Sequence, residues 1–206
     1  ADREEEAIAA YRRAIVINED DPELHQWFNG YLGVIDHPEY LDSYQRVLAK
    51  KPEAAVLAAP LARKLLLNQR AEEARGILEH CLSAGGDPAL INRELSHVHR
   101  EGGHFDEALA AARIAMAHQP ADIAVQQELA NAIMASAGDY EEAYSILKTL
   151  TARFPNDQGI WALYATALRY TGREEQYRRL VNYDCLVHLR HVEPPEGFSS
   201  RDAFVD

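Results

Sequence analysis

The chain has 206 residues, of which 47% are hydrophobic, which is enough for a continuous core. Its 33 acidic residues outnumber its 21 basic ones, and the formal net charge of −12 argues against general binding to nucleic acid. No apolar run approaches the ~20 residues that a membrane helix needs, so we expect no membrane partner. Cys81 and Cys185 lie in no paired motif, which favours a reducing, cytoplasmic setting.

The first predicted element is an amphipathic helix over residues 3–18. Ile8, Tyr11 and Ile15 lie on its apolar face. It reads as the second helix of a helix pair, like those described below, but the first helix that should pack against it is missing. We therefore expect a truncated parent chain, and self-association through the uncovered face.

A helix-pair unit then recurs between prolines at positions 22, 52, 88, 120 and 155. Each unit has an amphipathic run, a turn and a second run that begins with acidic residues and Ala, and we expect the prolines to end the second helices. The unit before Pro52 is short, which predicts a clipped or distorted helix. Pro60 lies inside the next first helix and predicts a kink, or a helix that begins near Pro60.

Small and flexible residues return at fixed places in these units. Gly103, Gly138 and Gly172 follow the first helices, where a positive φ ends a helix at little cost. A short side chain also recurs halfway along the first helices, where it lets a neighbouring helix approach. The residues at that place are Ala62, Ser96, Ala130 and Ala165.

This pattern resembles the tetratricopeptide repeat, whose period is about 34 residues, and the resemblance runs from Arg3 to about Tyr183. It implies an all-α fold, a right-handed superhelical solenoid of about five helix pairs over residues 1–184. An irregular C-terminal tail at residues 185–206 would begin a further, truncated domain. The resemblance implies an interaction module that binds a peptide or protein segment, and not an enzyme.

Tetratricopeptide solenoids usually bind ligands on the concave surface lined by the first helices. Counting from the small residues, the side chains predicted on this groove are Arg63, Arg93, His97, Arg100, Gln127, Asn131 and Arg169. The groove is therefore expected to be basic and rich in amides, which resembles a carboxylate clamp. It predicts an acidic partner, or one with a free C-terminal carboxylate. The alternative is a wall of exposed arginines that pair with acids of neighbouring helices.

The last residues do not follow the repeat pattern. They resemble the start of a bacterial family in which tetratricopeptide repeats precede a 2-oxoglutarate- and Fe(II)-dependent oxygenase domain. The matching residues are Tyr183, Asp184, Leu186, Val187, Pro195, Glu196, Gly197, Phe198, Ser200, Ala203 and Phe204. The resemblance implies that the repeats recruit substrate to a catalytic domain beyond Asp206. The alternative is a structural solenoid that packs on that domain or self-associates.

The histidines of the chain could be interpreted as metal ligands, but their places on predicted helices and turns argue against this. His104-Phe105-Asp106 has the spacing of an oxygenase iron pair, but it falls in a helical turn, whereas the oxygenase pair belongs on a strand. On a helix His97 and His99 point about 200° apart and cannot share an ion. We predict no catalytic, cofactor-binding or metal-binding residue in this chain.

Overall fold

A computed structural model describes residues 2–182, which contain eleven α-helices and no strand. Short turns separate the helices. They are α1 (Asp2–Ile17), α2 (Pro22–Val34), α3 (Asp42–Leu48), α4 (Ala55–Leu67), α5 (Ala71–Ser83), α6 (Pro88–Glu101), α7 (Phe105–His118), α8 (Ile123–Ala135), α9 (Tyr140–Arg153), α10 (Gln158–Tyr170) and α11 (Glu174–Leu180). The predicted domain boundary near residue 184 and the tail that follows it lie outside the described residues.

The helices form two layers. After α1, the chain makes five helix pairs, as the sequence predicts, with first helices α2, α4, α6, α8 and α10. The backbones of successive first helices lie close together, whereas those of successive second helices lie further apart and are bridged by long side chains such as Arg113 of α7 and Glu142 of α9. The layer whose members lie closest together is on the inside of a curved stack, so the first helices line the inner surface.

Aspartates fix where most of the helix pairs begin. The side chains of Asp21, Asp87, Asp122 and Asp157 accept backbone N–H groups at the starts of four first helices. Pro22 and Pro88 come directly after two of these caps, as the first residues of α2 and α6. The expectation that the prolines end the second helices is therefore wrong at these two positions, because proline is well suited to a first helical turn.

A residue in the left-handed backbone conformation follows the end of each first helix. Gly103 and Gly172 have positive φ, as predicted, but Gly138 does not, and Ala137 takes that conformation instead. The reason is loop length. The connection from α8 to α9 spans residues 136–139, one residue more than residues 102–104 between α6 and α7. Gly138 therefore lies one position beyond the left-handed one.

Two predicted irregularities have different outcomes. The clipped helix is confirmed: α3 has 7 residues, whereas the other second helices that continue the stack up to α9 have 13 or 14. A helix beginning near Pro60 is wrong, because α4 begins at Ala55 and contains Pro60. The carbonyl that loses its bond is four residues earlier, on the exposed Val56, where water can reach it.

The core lies between the two layers and has two large apolar clusters. One centres on α4 to α6 and includes Leu61 and Leu78, and the other centres on α8 to α10 and includes Leu147 and Leu168. A smaller cluster joins α1 to α2, where Tyr11 stacks on Phe28 with ring centroids 5.4 Å apart. No helix within residues 2–182 is long and apolar enough to cross a membrane.

Candidate binding groove

A pocket of about 510 Å³ opens on the inner surface between α4, α6 and α8. Five of the seven predicted groove residues line it. The complete lining is Arg63, Arg93, Glu94, His97, Ala124, Gln127, Glu128 and Asn131. We call this pocket the inner groove. The predicted positions thus meet in space, because the first helices stack with the same face inward.

Glu94 is the electrostatic centre of the inner groove. It is buried on α6 and joins two arginines. Arg63 of α4 donates from Nε to Glu94 Oε2 at 2.7 Å, and Arg93 donates from Nη2 to Oε1 at 2.7 Å. Burial by itself raises the pKa of the Glu94 carboxyl, but the bonds and charges of the two arginines outweigh it, and the pKa lies below its ordinary value. Glu94 is therefore an ionised counter-charge.

A second carboxylate lies one repeat further along. Glu128 of α8 accepts a hydrogen bond from the Ser96 hydroxyl at 2.8 Å, and the Arg100 Nε atom lies 3.5 Å from the same oxygen. Arg100 is also 2.6 Å from His97 Nδ1 and 2.9 Å from Glu101. Arg100 is thus held beside the inner groove rather than in its lining.

The α8 side of the inner groove carries two carboxamides, Gln127 and Asn131. They lie one helical turn apart and are half-buried. Within the described part of the chain neither side chain forms a hydrogen bond. A half-buried amide without a partner keeps its capacity to donate and accept, so this wall is available to a ligand.

Arg169 does not join the inner groove. It is exposed on α10, and its guanidinium lies over the Tyr177 ring, 5.5 Å from the centroid. The side chain therefore turns towards α11. The prediction that it contributes to the same binding site is not supported by its position.

The glutamates are what the sequence analysis missed. Neither Glu94 nor Glu128 was named in the sequence analysis, because acids on an amphipathic helix are ordinarily solvated. The alternative given there, exposed arginines that pair with acids of neighbouring helices, does describe the pair of Arg63 and Glu94. A signal was present, because Glu94-Leu95-Ser96 and Glu128-Leu129-Ala130 repeat at the same distance in front of the small residue. The expectation of a basic groove is therefore corrected: the inner groove pairs its arginines with buried acids.

The histidine motif lies elsewhere. His104 precedes α7 as its cap residue and Asp106 lies in the first helical turn, so the pair is helical as predicted. His97 faces Arg100, whereas His99 meets the His104 ring edge-on at 6.2 Å, which confirms that the two helix histidines point apart. Within residues 2–182 no three His, Cys, Asp or Glu side chains converge as metal ligands.

Comparison with known proteins identifies the repeats. Residues 99–167 match the family model of the tetratricopeptide repeat. No curated protein matches the chain at a significant level. The matched region spans α7 to α9 with parts of their neighbours, so it includes the inner-groove residues of α8.

Solved structures match over most of the chain. YrrB, described as a TPR protein with an unusual peptide-binding site, is 18% identical with a TM-score of 0.57, over 85% of this chain and 91% of that chain. TTC0263, a thermophilic TPR protein of Thermus thermophilus, is 21% identical with a TM-score of 0.56, over 81% and 91%. Human IFIT1, solved with m7Gppp-AAAA, is 15% identical with a TM-score of 0.65, over 93% of this chain and 48% of that one.

These similarities show the fold. Residues 99–167 match the tetratricopeptide repeat, and the described part of the chain is an all-helical solenoid similar in fold to solved proteins of that type. It spans about half the length of human IFIT1. Solenoids of this kind are typically binding scaffolds whose curved inner surface is the recognition face.

Proposed function

We propose that this protein is an interaction module that binds an extended peptide or protein segment in the inner groove. The observation that carries the proposal is the wall formed by Gln127 and Asn131, whose amides have no partner in the described part of the chain and line the same pocket as Arg63 and Arg93. A pocket that combines free amides with fixed charges is suited to a polar chain.

The spacing of the two amides fits an extended chain. Residues four apart on a helix rise about 6 Å along its axis. Alternate residues of an extended strand are about 6.6 Å apart, and their backbone N–H and C=O groups point to the same edge. Gln127 and Asn131 can therefore each donate to and accept from the backbone of alternate ligand residues.

The arginines define the chemistry of the partner. Arg63 is the most exposed of the groove arginines that form salt bridges, and its guanidinium keeps an unused edge beside Glu94. That edge is complementary to a carboxylate, because the planar fork of arginine matches the planar anion. We therefore propose a partner that has an acidic side chain or a free C-terminal carboxylate.

The setting of this module is a further part of the proposal. The resemblance of the last residues to an oxygenase start favours a larger 2-oxoglutarate- and Fe(II)-dependent enzyme of a bacterial cytoplasm, whose substrate the repeats recruit. The matching residues 183–206 lie outside the described residues. The sequence of the parent after Asp206 tests this, since an oxygenase requires a His-x-Asp pair and a later His.

One observation favours the structural alternative. Trp27 lies at the same position of α2 as Glu94 does in α6, where Glu94 reaches the preceding first helix. At 56% exposure, Trp27 leaves an apolar surface that a second copy can cover. Light scattering over a dilution series tests this role. A monomer at every concentration, unchanged in Trp27→Glu, would contradict it.

A matched pair of variants tests the inner groove. Asn131→Ala removes one free amide, and we expect it to weaken binding of an extended acidic peptide by about tenfold, the loss of one or two hydrogen bonds. Gln126→Ala is the control, because its amide already donates to the Pro120 carbonyl at 2.6 Å outside the pocket. A screen of extended peptides by calorimetry gives the ligand. Equal affinities for the two variants would contradict binding in this groove.

A further inference from the structure

The inner groove has no excess charge, although it contains arginines. Two arginines, Arg63 and Arg93, and two glutamates, Glu94 and Glu128, are the charged side chains of its lining. Arg100, just outside, is held between Glu128 and Glu101. The charges are thus balanced where a ligand would enter, within a chain whose net charge is −12.

The three arginines in and beside the inner groove differ in how far a ligand can reach them. The side chain of Arg63 is 54% exposed, whereas those of Arg93 and Arg100 are 19% and 23% exposed. A ligand carboxylate can therefore approach one guanidinium of this group with little rearrangement. Any further carboxylate on the same ligand would have to approach arginines that are covered and already bound to acids.

We infer that Glu94 and Glu128 determine the specificity of the inner groove: they restrict it to segments that bring a single carboxylate and disfavour segments that bring several. This inference rests on the proposed peptide-binding function and adds to it a limit on ligand charge. A second ligand carboxylate would lie near the carboxyl groups of Glu94 and Glu128 in a partly shielded groove, where like charges repel strongly.

A purely architectural role for the two glutamates fits the repeat less well. The same position is Pro60 in α4 and Leu163 in α10, and these helices stack without an acid there. The acids occur on α6 and α8, the two helices that contribute most of the lining. Their placement follows the pocket rather than the repeat.

The test uses one extended peptide sequence carrying zero, one, two or four aspartates. For the wild type we expect affinity to rise from none to one carboxylate and then to fall. Glu94→Gln and Glu128→Gln keep the shape and remove the charge, so they should shift the preference to two or more carboxylates. The ratio of affinities for the two- and one-carboxylate peptides should rise by about tenfold.

Glu142→Gln is the matched control. Glu142 pairs with Arg113 at 2.7 Å on the opposite surface, away from the inner groove, so the ratio should stay at the wild-type value. Thermal unfolding of each variant is measured first. If Glu94→Gln does not fold, Glu128→Gln gives the same measurement, because its carboxylate meets a single arginine and a serine.

The outcomes separate the two proposals. If the wild type binds no member of the series and no peptide of the wider screen, the peptide-binding function is wrong. If it binds and the folded Gln variants keep the wild-type charge preference, the function stands and the role of the glutamates is wrong. A wild type whose affinity grows steadily with each added aspartate also contradicts the inference.

Discussion

The pair α2–α3 and the pairs from α4 onward use different contacts at the halfway position of the first helix. In α4 and α8 the halfway position is a buried alanine, Ala62 or Ala130, and the helices pack through apolar contacts. In α2 the same position is Asn29, which is fully buried and forms hydrogen bonds across the pair. A repeat can thus lose half of its second helix if buried hydrogen bonds replace the missing contacts.

The bonds in α2–α3 form a closed network. Asn29 donates to the Ser43 hydroxyl at 2.6 Å and accepts from the Leu41 backbone N–H at 2.6 Å. Leu41 has a φ of 73° and caps α3, so this bond holds an unfavourable turn in place. His25 Nε2 donates to the Glu19 carbonyl, which leaves Nδ1 to accept from Ser43. The network is satisfied when His25 is neutral.

Removing the centre of this network has the largest expected effect. Asn29→Ala leaves the Leu41 N–H without its buried acceptor and removes the donor to Ser43, so we expect a loss of about 3 kcal/mol in unfolding free energy. Chemical denaturation measures it, and hydrogen exchange should show early opening of residues 41–48. Asn92→Ala is the control, because Asn92 only donates to the Pro88 carbonyl of its own helix. Equal losses would remove the distinction between the two kinds of pair.

Acidification should weaken the α2–α3 pair through His25. Burial lowers the pKa of His25 below its ordinary value of 6.5, and the nearby Glu19 carbonyl opposes this only in part. The unfolded chain then binds the proton more readily than the folded one, so stability is complete above about pH 6.5 and falls as the pH drops below it. Glutamates whose pKa lies below the ordinary value, such as Glu39, change the stability only at lower pH. Denaturation midpoints between pH 7 and about pH 5 measure the change.

The pH measurement has a specific control. Burial also lowers the pKa of His99, which belongs to the later pairs. His25→Gln should remove the pH dependence of hydrogen exchange in α3 while leaving that of α6 and α7. His99→Gln should do the reverse. Loss of the α3 effect in His99→Gln would contradict the assignment to His25.

Tyr44 offers the opposite change in the same region. Its side chain is fully buried beside His25, and its hydroxyl has no hydrogen-bond partner in the described part of the chain. Tyr44→Phe removes an unsatisfied buried group at almost constant shape, so we expect a gain of about 1 to 2 kcal/mol. Tyr164→Phe in the later pairs is the control, because the Tyr164 ring is only partly buried. A loss of stability in Tyr44→Phe would mean that the hydroxyl is satisfied.

The sequence predicted the regular part of the molecule because its signals are local. Helix periodicity, the small residues and the acids at the second-helix starts depend on neighbours in the chain, and the eleven helices of residues 2–182 follow from them. The positions of Arg63, Arg93 and Asn131 on one surface followed from counting along the repeat. Binding by that surface stays a prediction.

The parts that the sequence did not predict depend on contacts between distant residues. Asn29 meets Leu41 and Ser43 only because the chain between α2 and α3 folds back, and no periodic pattern encodes that turn. The burial of Glu94 depends on Arg63, 31 residues earlier, which neutralises it. Such pairings can be found in the sequence only by comparing one repeat with the next.

The smallest expected effect concerns the end of α8. Ala137 has a φ of 51°, a left-handed conformation that costs a residue with a side chain, whereas Gly103 holds the same place after α6. Ala137→Gly should therefore stabilise the protein by about 0.5 to 1 kcal/mol, and Gly103→Ala should destabilise it by a similar amount. Thermal unfolding of both variants measures the pair of changes.

Gly138→Ala is the control for position, because Gly138 has no positive φ, although an added methyl would lie 3.2 Å from the Ser136 hydroxyl oxygen. If Ala137→Gly has no effect while Gly103→Ala destabilises the protein, the longer connection between α8 and α9 relieves the strain of the left-handed residue, and the shorter connection between α6 and α7 does not.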